Sequence, residues 1–133
     1  KQKILIAIAV CFIVFLASCR TSPIYNVNQA PIPVVPAAQK PTLDQVQKAI
    51  VMAGAELNWA MNVQSPGHIV GTLNLRNHQA VVDINYNQTE YSITYKNSIN
   101  LKYDGTKIHS NYNGWIKNLD NAIKRNLTNE VYK

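Results

Sequence analysis

Residues 68–97 alternate between apolar and polar side chains in three short runs, and that period of two constrains most of what this chain can become. Residues 68–76 put Ile69, Gly71, Leu73 and Leu75 on one side. Residues 79–86 do the same with Ala80, Val82, Ile84 and Tyr86, and residues 90–97 with Tyr91, Ile93 and Tyr95. The breaks between the runs, Asn77-His78 and Asn87-Gln88-Thr89, are too short for a crossover helix, so the runs pair as an antiparallel meander. The other side carries Thr72, Asn74, Asp83, Asn85, Ser92, Thr94 and Lys96. Only one face of such a sheet is greasy, and something must cover it. Residues 98–103 are expected to add a short fourth strand, ended by the Asp104-Gly105 turn.

Two helical patterns flank the meander. Thr42 with Gln45 three residues later forms a capping box, and Asp44 places a favourable charge in the first turn. Leu43, Val46, Ile50, Ala53 and Leu57 then recur at helical spacing, which predicts a helix over 42–60 before the break at Ser65-Pro66-Gly67. A second stripe, Tyr112, Trp115, Ile116, Leu119, Ala122, Ile123 and Leu127, predicts a helix over 112–127, capped by Ser110, Asn111 or Asn113, with residues 128–133 frayed. The expected class is α+β: a three- to four-stranded antiparallel meander with an N-terminal and a C-terminal helix packed on one face, in the order α-β-β-β-α.

The first nineteen residues belong to a different kind of object. Lys1 and Lys3 precede an apolar run from Ile4 to Ala17, and Leu16-Ala17-Ser18-Cys19 closes it. As a helix that run spans about 21 Å, short of the roughly 30 Å hydrocarbon core of a bilayer. A basic start, a short apolar stretch and small residues before a fixed point make a signal peptide. The plain alternative is an uncleaved membrane anchor stretched by snorkelling lysines.

The four residues Leu16-Ala17-Ser18-Cys19 match the lipobox, and the N-terminus resembles that of bacterial lipoproteins. The resemblance implies cleavage before Cys19 and transfer of a diacylglycerol group to its sulfur. A thiolate is the nucleophile that chemistry needs. The diacylglycerol group carries two acyl chains, enough for a stable anchor where one is marginal, and the resemblance implies that the new amino terminus can be acylated too. Cys11 leaves with residues 1–18, so the mature chain keeps no thiol for a disulfide, a metal or catalysis. In proteobacterial lipoproteins the residue after the cysteine influences sorting. Arg20 there implies the inner leaflet of the outer membrane, with the domain in the periplasm.

Removing residues 1–18 leaves 115 residues, one domain plus a spacer. Residues 19–41 read as the lipidated cysteine followed by a proline-rich tether, with five of the six prolines in the chain and no strand or helix periodicity. Fully extended it reaches roughly 60 Å. Within it, Ile24-Tyr25-Asn26-Val27 is the piece most suited to docking on a partner. The globular domain is assigned to 42–127 and the tail to 128–133. Loss of Lys1 and Lys3 lowers the formal charge from +6 to +4, and the remaining cations are dispersed. With export as well, that argues against a nucleic-acid partner.

No catalytic constellation is visible. His68, His78 and His109 stand apart, with no second ligand at metal spacing. Asp83 and His78 lie on opposite strand parities. The acidic residues are scattered, and no GxSxG, CxxC or phosphate loop occurs. The reading is therefore not an enzyme, with no cofactor and no metal. The densest cluster of contact-forming groups is Lys107 to Trp115, from which His109, Asn111, Tyr112, Asn113 and Trp115 are the candidate partner contacts. Tyr91-Ser92-Ile93-Thr94-Tyr95, Asn100-Leu101-Lys102-Tyr103 and Ile108-His109-Ser110-Asn111-Tyr112-Asn113-Gly114-Trp115 resemble segments of small uncharacterised lipoproteins of Gram-negative bacteria, a likeness that carries no activity across. The expected function is a membrane-anchored periplasmic lipoprotein that binds a protein partner as an accessory of an envelope or secretion assembly. The alternative is a binder of cell-wall glycan or lipid.

Overall fold

The computed structural model of the chain describes residues 20–34 and 40–133. The signal peptide, Cys19 and residues 35–39 lie outside the described residues. The elements are β1 (Thr21–Pro23), β2 (Val27–Pro31), α1 (Leu43–Glu56), β3 (Trp59–Ser65), β4 (His68–Leu75), β5 (His78–Tyr86), β6 (Glu90–Ile99), β7 (Lys107–His109) and α2 (Ser110–Val131). Among the described residues the strands form a five-stranded antiparallel sheet, in the order β2-β6-β5-β4-β3, and a two-stranded β1-β7 pair. The class is α+β, with α1 before the β3–β6 meander and α2 after it.

The alternating runs bury the side anticipated for them. Ile69, Leu73, Ala80, Val82, Ile84, Tyr86, Tyr91 and Ile93 join Val46, Ala49, Ile50 and Ala53 of α1 and Ile116, Leu119 and Ile123 of α2 in one core. Polar links bind both helices to that same face. Tyr86 donates its hydroxyl to Gln47 at 3.0 Å, and Tyr91 donates its hydroxyl to Asp120 at 2.5 Å. Gly54 lets α1 settle on β3: a Cβ there would collide with Met61. The capping box forms as anticipated, with Gln45 N–H donating to Thr42 and Thr42 N–H to Gln45.

Four boundaries differ from expectation. The helix over 42–60 ends at Glu56, because Asn58 takes a left-handed φ of 63° and Trp59 turns into a strand paired with Leu73. Residues 98 and 99 extend β6 instead of starting a new strand. The last helix reaches Val131, where Glu130 is held by Lys48 of α1 and by Lys133.

The fourth difference matters most. Residues 21–31, read as tether, are part of the fold. Thr21–Pro23 pairs with β7, and Val27–Pro31 adds an edge strand to β6. Burial of Val27, Ala30 and Ile32 drives this. The prolines are tolerated because β2 is an edge, where a missing N–H need not break a ladder. The signature was hidden by a register irregularity between Val27 and Ala30, where Gln29 adopts φ 50°.

Candidate functional site

Five side chains were candidates at the β7–α2 junction, and the structure gives most of them internal work. His109 caps α2, its Nδ1 accepting from the Asn111 N–H at 3.2 Å, a place expected for Ser110, Asn111 or Asn113. Tyr112 is fully buried, edge-on to Tyr95 at 5.9 Å between ring centroids. Burial pushes its phenol well above the ordinary tyrosine range, with Tyr95 and Tyr103 adding to the shift. Tyr112 is therefore a core group and not a surface contact.

Asn113 is spent on the N-terminal segment. Its Oδ1 accepts from the Tyr25 N–H at 2.9 Å, and its Nδ2 donates to Ser22 Oγ and to the Pro23 carbonyl, both at 2.9 Å. Trp115 is half-buried and lines a shallow hollow of about 90 Å³ with Leu57, Trp59, Leu73 and Asn118. Of the five, Asn111 alone is exposed.

The polar face of the sheet holds a small cluster of charged and imidazole groups. His68 donates through Nε2 to Asp83 at 2.7 Å, and Lys96 stands 3.5 Å from the same carboxylate. The partner of Asp83 is thus His68, brought close by strand pairing, and not His78. His78 instead donates through Nδ1 to the Asn100 carbonyl at 2.7 Å, with its ring 6.4 Å from that of His109. Among the described residues no group of three or more His, Cys, Asp or Glu side chains is placed to hold a metal ion.

Under the helices, Tyr91, Asp120 and Lys124 form a chain of polar contacts. Burial, reinforced by Asp120, pushes the Tyr91 phenol far above its ordinary value. Asn126 donates to Glu56 at 3.0 Å, linking the two helices. These groups staple α1 and α2 to each other and to the sheet.

Sequence reasoning missed the free edge of the sheet. Among the described residues β3 pairs on one side only, with β4. Trp59–Ser65 carries no charge, and Ala60, Asn62, Val63, Gln64 and Ser65 are exposed. Edge strands are usually blunted by charges, proline or bulges. Here the irregularity falls between Val63 and Ser65, leaving Trp59–Val63 in regular register. The signal available was the weak alternation after Asn58, masked by the preceding helical stripe. No helix among the described residues is long and apolar enough to cross a membrane.

Fold and surfaces define a small α+β protein in which, among the described residues, two helices pack on one face of an antiparallel sheet and no helix covers the other. In comparison with known proteins, the chain matches no family model, no curated protein and no solved structure.

Proposed function

We propose that the chain is a bacterial lipoprotein, acylated at Cys19 and held at the inner leaflet of the outer membrane, whose periplasmic domain binds a protein partner of an envelope or secretion assembly. The open, uncharged edge of β3 supports the protein-binding half of this reading. A partner strand added there satisfies its main-chain donors and acceptors, and alternate side chains such as Asn62 and Gln64 supply specificity. The lipobox Leu16-Ala17-Ser18-Cys19 supports the anchoring half. The function is non-enzymatic in this reading.

The test is a photo-crosslinking side chain at Asn62 in living cells. A discrete heteromeric adduct is expected, abolished when Val63→Lys charges the edge. A clean monomer from crosslinkers along β3 would contradict the reading. The alternative, a wall-glycan binder, draws on the half-buried Trp115 and its hollow. Peptidoglycan co-sedimentation that Trp115→Ala leaves unchanged would remove that site.

A further inference from the structure

The end of the sheet where the N-terminal segment enters has an unusual surface. The Arg20 carbonyl accepts from the Ser110 N–H at 2.9 Å, and Thr21 lies opposite His109. The His109 N–H donates to the Leu101 carbonyl at 2.8 Å, and the His109 ring neighbours that of His78. His78 in turn pairs with Leu75 and holds the carbonyl of Asn100. These contacts gather Arg20, Leu75, Arg76, Ile99 and Lys102 around one rim.

Leu75 is 44% exposed and Ile99 55%, although each ends a strand whose other apolar residues are largely covered. Arg20, Arg76 and Lys102 are exposed beside them, with the Arg76 and Lys102 backbones in left-handed turns at φ 56° and 55°. Exposed aliphatic side chains and cations at one end of a sheet suit the boundary between anionic headgroups and acyl chains.

The position of the rim in the chain selects that partner. A single peptide step, about 3.8 Å between Cα atoms, separates Arg20 from Cys19. No 60 Å tether lies between the acylation point and the folded body, since β1 begins at Thr21. A diacylglycerol group on Cys19 would therefore bring this end of the sheet nearest to the headgroups.

We propose that the rim of Arg20, Leu75, Arg76, Ile99 and Lys102 is a membrane-contact surface that seats the domain flush on an anionic phospholipid layer. The proposal rests on the acylation of Cys19 put forward above. The β3 edge runs away from this rim, from Trp59 opposite Leu73 to Ser65 opposite His68, so most of it stays clear of the bilayer for a partner strand.

The test uses the acylated full-length product, purified from membranes and reconstituted in equimolar phosphatidylethanolamine and phosphatidylglycerol vesicles. An environment-sensitive fluorophore is attached to Leu75→Cys or, as control, to Val63→Cys, which is 43% exposed in the free domain. Lipid-borne spin labels should quench the probe at 75 at least threefold more than the probe at 63. The joint variant Arg76→Glu, Lys102→Glu should erase most of that difference, as should vesicles of phosphatidylcholine alone. Equal quenching at the two positions, in a protein whose intact mass shows acylation, would overturn the seated rim and leave the anchor standing. An intact mass without acyl groups would overturn both.

Discussion

The two ends of the sheet differ in what surrounds their turns. At one end, the β3–β4 and β5–β6 turns are closed by their own polar groups. Asn87 Oδ1 accepts from the Thr89 N–H, the Thr89 hydroxyl and the Glu90 N–H, all within 2.9 Å, and the Gly67 carbonyl accepts from the Tyr86 N–H. At the other end, Gln79 donates to Asn74 across the β4–β5 turn, Asn113 holds the N-terminal segment, and Leu75 and Ile99 are left in solvent. Turns at both ends are locally satisfied, and what distinguishes the second end is apolar exposure beside three cations, the feature on which the proposed contact surface rests.

Removing the clamp at the contact end should have the largest effect. Asn113→Ala deletes three hydrogen bonds to Ser22, Pro23 and Tyr25 and leaves the Tyr25 N–H without its acceptor. A loss of about 2–3 kcal/mol is expected in denaturant unfolding, with faster amide exchange across residues 21–25. Unchanged exchange there would mean that the segment is held by burial alone. At the opposite end, Gly67→Ala forces a side chain into φ +92° with its Cβ 3.1 Å from the Tyr86 carbonyl oxygen. About 1–3 kcal/mol should be lost by the same measurement.

Leu75→Ser sharpens the contrast, since the residue sits in the contact rim yet is only partly covered. It should cost less than about 1 kcal/mol of stability. A larger cost would place Leu75 with the core and weaken the case for a contact role.

The smallest effect is electrostatic. The N–H groups of Lys107 and Thr106 donate to Asp104 at 2.7 and 2.9 Å and hold its carboxyl below the ordinary value of 3.8. A depressed folded-state value means that the ionised form favours the fold. The contribution is present above the unfolded value and disappears as pH falls through the folded one. The Asp104 carboxyl resonance should titrate below pH 3.8, and Asp104→Asn should flatten the acid limb of the stability curve.

Much of the fold was legible because its period is regular. The faces of β4, β5 and β6 follow from alternation alone, and α1 starts where Thr42 and Gln45 require. The missed strands share a physical cause. β1 and β7 are three residues each, too short to show a period, and β2 breaks its alternation at Gln29. β3 buries only Trp59 fully, so burial writes almost nothing into Ala60 to Ser65. The candidate contact residues show the same limit from the other side. Aromatic and amide groups at a junction announce that contacts are made, but not whether they are internal. Asn113 turned inward because the N-terminal segment, read as spacer, was there to meet it, and Tyr112 because it packs edge-on to Tyr95 of β6.

Seating of the contact end on a bilayer depends on what Cys19 carries, and the intact mass of the chain extracted from cell membranes tests that most directly. The account predicts a chain that begins at Cys19 and is heavier than its polypeptide by a diacylglycerol group, with or without an amide-linked acyl chain. A chain that retains residues 1–18 and carries no acyl group would contradict it.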